Sequence, residues 1–183
     1  MTVQRSDILD YVTYEDQRDE IRSRAMATKR LRRINADCLT FLFENRETIR
    51  YQVLEMLRIE KIVREADIVH ELTTYNELLG TEGALGCTLL IGLDDPAVRD
   101  QKLTAWLDLL NHLYLLLEDG TKVRPTYDPR QVGETRLSSV QYLKFPVAGQ
   151  VPVACGSDHP DLTVQTPLSA EQHQALTDDL RDA

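Results

Sequence analysis

Apolar side chains are sparse at the start of the chain. Ser6 or Asp7 is placed to cap a short first piece that carries Ile8, Leu9, Tyr11 and Val12. Tyr14 to Arg33 holds good helix formers without Gly or Pro, and Ile21, Ala25 and Leu31 give it only a narrow apolar stripe. That pattern predicts a polar helix. Residues 34–43 change character: Ile34, Leu39, Phe41, Leu42 and Phe43 bunch together and predict a strand. Asn45 to Arg64 then reads as a long helix. A second helix follows over 67–79, with Asp67 as its cap, Ile68, Leu72, Tyr75 and Leu79 at helical spacing, and Gly80 as its stop.

A strand is expected over 84–93. Asp95 and Pro96 open a helix that runs to about Asn111 and buries Leu103, Trp106, Leu107 and Leu110. Asp119-Gly120 joins Leu113–Glu118 and Lys122–Tyr127 as a hairpin, with Pro125 marking an edge strand. Val140–Phe145 alternates and predicts a further strand, with shorter ones over 151–154 and 162–165. Cys155 to Pro160, rich in turn residues, reads as a loop. Ser169 and Gln172 form a capping box for a last helix. The order predicts an α+β fold: a largely antiparallel sheet covered on one face by helices, one of them long and central. The 183 residues fit a single domain, with a basic helical region over 1–33, an α+β core over 34–168 and a C-terminal helix over 169–183. Regular βαβ alternation and a glycine-rich phosphate loop are missing from the pattern, which argues against the doubly wound nucleotide folds.

Charge narrows the classes of partner. The formal net charge is −9, from 21 basic and 30 acidic side chains, which argues against nucleic-acid binding. Basic charge is densest from Arg18 to Arg33, and residues 156–183 hold one basic and six acidic side chains. No apolar run reaches the roughly 20 residues of a membrane span, and Met1 to Asp7 lacks the apolar stretch of a signal peptide. Cys38, Cys87 and Cys155 are an odd set without a paired spacing, which suits a reducing cytoplasm better than a disulfide framework. No iron–sulfur cysteine run is present, and the sequence assigns no cofactor. Homodimerisation through an open sheet edge is compatible with the pattern.

The candidate chemistry lies in the long helix. Ile49, Val53, Met56 and Leu57 define its apolar face, and at 100° per residue Glu60, Arg64 and Arg46 fall on that same face. A buried carboxylate needs partners. One reading is a structural Arg–Glu network between helices. The other is an anion pocket or acid/base site, with Glu60, Glu55 and Glu44 as proton carriers and Arg32, Arg33, Arg46 and Arg58 as ligand holders. For metal binding, the candidates are His70 with Glu71, and Cys155 with His159.

Several strings occur together: Asp7-Ile8, Tyr14-Glu15 with Arg18 and Arg22, Lys29-Arg30 with Arg32-Arg33, Phe43-Glu44-Asn45-Arg46, Gln52 with Glu55-Met56 and Arg58, Glu71-Leu72 with Tyr75-Asn76, Val140-Gln141-Tyr142-Leu143 with Phe145, and Asp158-His159-Pro160. In this the chain resembles a bacterial family of unknown function, over nearly its whole length. Members of that family tend to be encoded beside a rubrerythrin-like protein and an iron–sulfur oxidoreductase of the heterodisulfide-reductase type. The resemblance implies an accessory or partner protein of a redox or peroxide-defence system. It assigns no reaction and no catalytic residue.

Overall fold

A computed structural model describes residues 2–182. The polar N-terminal helix α1 spans Tyr11–Arg30, and its cap is Asp10, whose carboxylate accepts from the amides of Val12 and Thr13. Ser6 and Asp7 lie instead in a 3₁₀ turn over Arg5–Asp7. Only Tyr14 and Ala25 of α1 are buried, as its thin stripe required.

The segment expected as one strand is a hairpin. β1 (Arg33–Ala36) and β2 (Leu39–Glu44) pair antiparallel around a turn in which Asp37 takes a positive φ of 55°. A short acidic side chain tolerates that left-handed conformation better than most residues. β2 continues into α2 (Arg46–Ile59) through a capping box in which Asn45 and Thr48 bond each other's backbone amides.

The long helix stops five residues before Arg64. Lys61 adopts φ 53°, and the Ile62 amide reaches back to the Leu57 carbonyl at 2.9 Å. This is a Schellman closure with lysine where glycine is usual. Glu60 is therefore the exposed C-cap just past the end of the helix, and the apolar stripe does not extend through it. α3 (Glu65–Asn76) starts two residues before Asp67, which lies in its first turn and is not its cap.

β3 (Leu85–Ile91), α4 (Pro96–Ala105) and the short α5 (Leu109–His112) follow. The expected single helix over 96–111 is thus broken after Ala105. β4 (Leu113–Leu116) pairs with the two-residue β5 (Lys122–Val123). Past Pro125 the chain leaves that strand, and Thr126 bridges to Lys144 of β6 (Val140–Phe145). Cys155 to His159 do not form a loop: they lie in β7 (Ala154–His159), which pairs with β8 (Leu162–Pro167). α6 (Ala170–Asp182) closes the chain.

The fold is α+β, built on two four-stranded antiparallel sheets rather than one, in the orders β1-β2-β3-β6 and β5-β4-β7-β8. Odd-numbered positions of β2 and β3, such as Phe41, Phe43, Cys87 and Leu89, share one core with Leu113, Leu115 and Cys155 of the second sheet. The opposite face of the first sheet carries Leu42, Glu44 and Thr88. A second apolar cluster ties α1, α2 and α3 together through Tyr14, Ile49, Val53, Leu57, Ile68 and Leu72. Helices and a second sheet therefore cover the two faces of the first sheet, which is why β2 and β3 are buried along nearly their whole length. No helix among the described residues is long and apolar enough to cross a membrane.

Candidate functional site

Where β2 runs into α2, a cavity of about 730 Å³ opens at the end of the first sheet. Its floor is backbone. Gly86 lies opposite Glu44 across β2 and β3, and a Cβ on Gly86 would fall 2.0 Å from the Leu78 carbonyl oxygen. One on Gly80 would fall 2.1 Å from that of Ala84. Glycine is needed at both places for close approach of backbone to backbone. The first turn of α2 and the N-terminal residues Ser6 to Leu9 form further walls, and the end of α6 adds Asp179 and Asp182.

Helical geometry explains which charges meet here. Arg46 and Arg50 are one turn apart on α2 and both line the cavity. Arg46 donates to Asp7 Oδ2 at 2.6 Å, and Arg50 donates through Nε to the Asp7 carbonyl at 2.8 Å. The Asp7 carboxyl is held below its ordinary value, first by the Gln4 amide, against a smaller opposing effect of burial, and then by Arg46. Glu47 accepts from Arg24 at 2.8 Å and from Thr28 at 2.7 Å. Asp179 receives two bonds from Arg32, at 2.7 and 2.8 Å, and one from the Asn45 amide at 3.1 Å. The Arg32–Asp179 pair is nearly closed to water, with side chains 9% and 13% exposed.

Glu44 is buried under α2. Its carboxylate accepts hydrogen bonds from the hydroxyls of Thr48 at 2.5 Å and Thr88 at 2.7 Å, and from the Gln52 amide at 3.0 Å. Neutral donors thus hold the charge, and Lys29 is the cation that its field reaches. Burial lowers Lys29 from the ordinary lysine value, Glu44 opposes that, and Arg33 adds to it. The Lys29 ammonium stands 5.5 Å from the Tyr51 ring centroid.

Asp7, Glu44, Glu47 and Asp179 each accept two or three hydrogen bonds. The donors are less occupied. Arg50 makes its one hydrogen bond through Nε, so its two terminal nitrogens have no partner among the described residues, and Arg46 uses one nitrogen of three. The open valences facing this space are therefore positive and hydrogen-bond donating.

Of the residues singled out in the sequence, Glu44 and Arg46 line the cavity, and Arg32 stands behind it on Asp179. The others lie elsewhere. Glu55 is about 13 Å and Glu60 about 21 Å along the helix from Arg46, at 1.5 Å per residue. Glu55 accepts from the Tyr14 hydroxyl at 2.5 Å and from Arg18 at 2.7 and 3.0 Å, clamping α1 to α2. Arg58 serves the same interface through Glu15 at 2.6 Å. Arg33 is exposed on β1, and His70 is exposed on α3 beside Glu71. Cys155 sits between the sheets, its thiol pushed up to about 12 by burial. His159 is buried on β7, with Nε2 3.2 Å from Asp108 and Nδ1 accepting the Asp161 amide at 3.1 Å. No group of three or more His, Cys, Asp or Glu among the described residues is arranged to hold a metal ion.

Arg50, Asp7, Arg24, Glu47 and Asp179 were not reached from the sequence. Arg50 carried a signal, its i, i+4 spacing from Arg46. Asp179 carried none, since it lies more than 130 residues away.

A family model described as "Protein of unknown function (DUF3501)" matches residues 2–180. The chain belongs to this family. It is also similar to a crystal structure of a novel protein of unknown function from Burkholderia pseudomallei K96243. The two are 28% identical, with a TM-score of 0.89, over 98% of this chain and 100% of that one. No curated protein matches the chain. Fold and family are thus established, and the reading of the cavity rests on its own chemistry.

Proposed function

We propose that this protein binds a small anionic group, a carboxylate or phosphate, in the cavity between the start of α2 and the end of α6. The observation that carries the reading is the state of its arginines: Arg46 and Arg50 keep open guanidinium nitrogens while the neighbouring carboxylates are already engaged. Arginine presents planar paired donors that match such oxygens. The volume, about 730 Å³, falls in the range of roughly 300–1,000 Å³ used for small molecules.

The accessory role in a redox system that the resemblance implied fits this as a role exercised through a bound ligand or partner. Burial pushes the Cys87 and Cys155 thiols up, so both stay protonated and shielded.

The test is a thermal-shift screen of small carboxylates and phosphate esters, followed by calorimetry on each hit. Arg50→Ala should weaken binding at least about tenfold, as expected when a hydrogen bond to a charged group is lost. Arg58→Ala, in the last turn of α2 and bonded to Glu15 of α1, should leave affinity unchanged. If no compound binds, or if Arg50→Ala binds as well as the parent, the proposal falls.

A further inference from the structure

We infer that the anion seated here is a carboxylate with a single charge, and that Asp7 keeps phosphate groups out of the site. This rests on the anion-binding reading above and narrows it to one class of ligand.

A guanidinium offers two paired edges, Nε with Nη2 and Nη1 with Nη2. Arg18 and Arg32 spend the first edge on Glu55 and Asp179, each through two parallel bonds. In the cavity wall, Arg46 gives Nη2 to Asp7 Oδ2 at 2.6 Å. That nitrogen belongs to both edges, so Arg46 has no complete pair for a ligand while Asp7 stays in place. Arg50 gives only Nε, to the Asp7 carbonyl at 2.8 Å, and its Nη1–Nη2 edge is whole. Arg24, the third arginine of the wall, gives Nε to Glu47 at 2.8 Å, and its side chain is 66% exposed. A ligand on the outer edge of Arg24 would therefore meet the charge of Glu47. Of these three arginines, only Arg50 is bonded to a neutral group.

One whole edge on one guanidinium matches a carboxylate, which brings two oxygens and one charge. A phosphate monoester brings three oxygens and a charge of about −1.5 to −2 at pH 7. Its third oxygen finds only single donors on Arg46, beside the Asp7 carboxylate. Asp7 is fixed there, since Oδ2 also accepts the Gln4 amide at 2.7 Å within the Arg5–Asp7 turn. Glu44 borders the same space, its carboxylate bonded by neutral donors alone. Like charges repel more strongly in a space partly removed from water, and the repulsion doubles for a dianion. Leu9, Leu79 and Leu85 line the rest of the cavity, so the organic group of a carboxylate has an apolar wall to lie on.

The test is calorimetry on the full chain at pH 7 with matched pairs that carry the same organic group: benzoate beside phenyl phosphate, and butyrate beside propyl phosphate. The carboxylate should bind about tenfold or more tightly than its phosphate. Asp7→Asn removes the charge and keeps an acceptor for the Gln4 amide. It should tighten the phosphates and bring each pair within about threefold. Phosphates that bind the parent protein as tightly as the carboxylates overturn the inference and leave the anion seat standing. An undiminished preference in Asp7→Asn, or a variant that binds neither probe, overturns the role of Asp7 and the inference with it. If no probe of either kind binds the parent protein, the anion-binding reading falls as well.

Discussion

Glu55 shows what a single charged residue does in this molecule. It accepts three hydrogen bonds from α1, one from Tyr14 and two from Arg18, with its side chain 17% exposed. The bidentate Arg18 bond holds the carboxyl below its ordinary value. Burial opposes that, and the Tyr14 hydroxyl adds to it. A carboxyl depressed in the folded state stabilises above its unfolded value and loses that contribution as pH falls through the folded one. The clamp is therefore complete at neutral pH and weakens below about pH 4, where an unfolded glutamate takes up its proton. Glu55→Gln should cost about 1–3 kcal/mol at pH 7. It should also flatten the acid limb of stability, measured by urea unfolding between pH 7 and pH 3. An unchanged acid limb would mean that other carboxylates govern acid unfolding. The same residue stood in the sequence as a candidate proton carrier. Its pattern on α2 was legible, but its partner on α1 was not.

At the level of elements, the end of α2 decides where the charges go. Of the expected stripe, Ile49, Val53 and Leu57 pack inward while Met56 is only half-buried, and helical periodicity extrapolated the stripe through Glu60 to Arg64. The chain turns at Lys61 instead, in a conformation that costs a non-glycine residue about 1–2 kcal/mol. Sequence patterns look for glycine or asparagine at such a stop, so a lysine there carries no signal. Lys61→Gly should stabilise the protein by up to about 1 kcal/mol, seen as a higher urea midpoint with an unchanged slope. A loss of stability would show that the lysine side chain, not its backbone, governs this turn. Strand β6 gives a second case. Pro125 marked the segment Lys122–Tyr127 as an edge, and the end of that segment runs beside β6, whose outer side would otherwise invite pairing with another copy. Here the Gln131 side chain bonds both the amide and the carbonyl of Tyr142, at 2.8 and 2.9 Å. Thr126 exchanges two backbone bonds with Lys144. The outward backbone groups of Tyr142 and Lys144 are thus answered from within the chain.

Across the whole molecule, one ion pair joins the first sheet to the last helix. Arg32, at the entry to β1, reaches Asp179 of α6 across 147 positions of sequence, while Leu176 enters the core shared by the two sheets. Removing one partner of a buried pair leaves the other charge unanswered. Arg32→Met should therefore cost about 3–5 kcal/mol, read by thermal or urea unfolding. Replacing both partners by apolar residues should recover much of it. If Arg32→Met proves neutral, α6 is held by Leu176 and its neighbours alone. The sequence by itself determined the class of fold and most of its parts: the polar α1, the start of α2 at Asn45, the buried β3, the Asp95-Pro96 start of α4 and the capping box of α6. Those features depend on neighbours within a few residues, which periodicity and capping chemistry report directly. Only the tertiary structure decided that there are two sheets, that residues 155–159 form a buried strand, and that Glu44 and Arg46 meet Asp7, Arg50 and Asp179 around one cavity while Glu55, Arg58 and Glu60 do not. Those facts depend on which distant segments share a wall. A helix separates its charges by 1.5 Å per residue and 100° per step, so the companions of each charge are set by packing between elements, which no local pattern encodes.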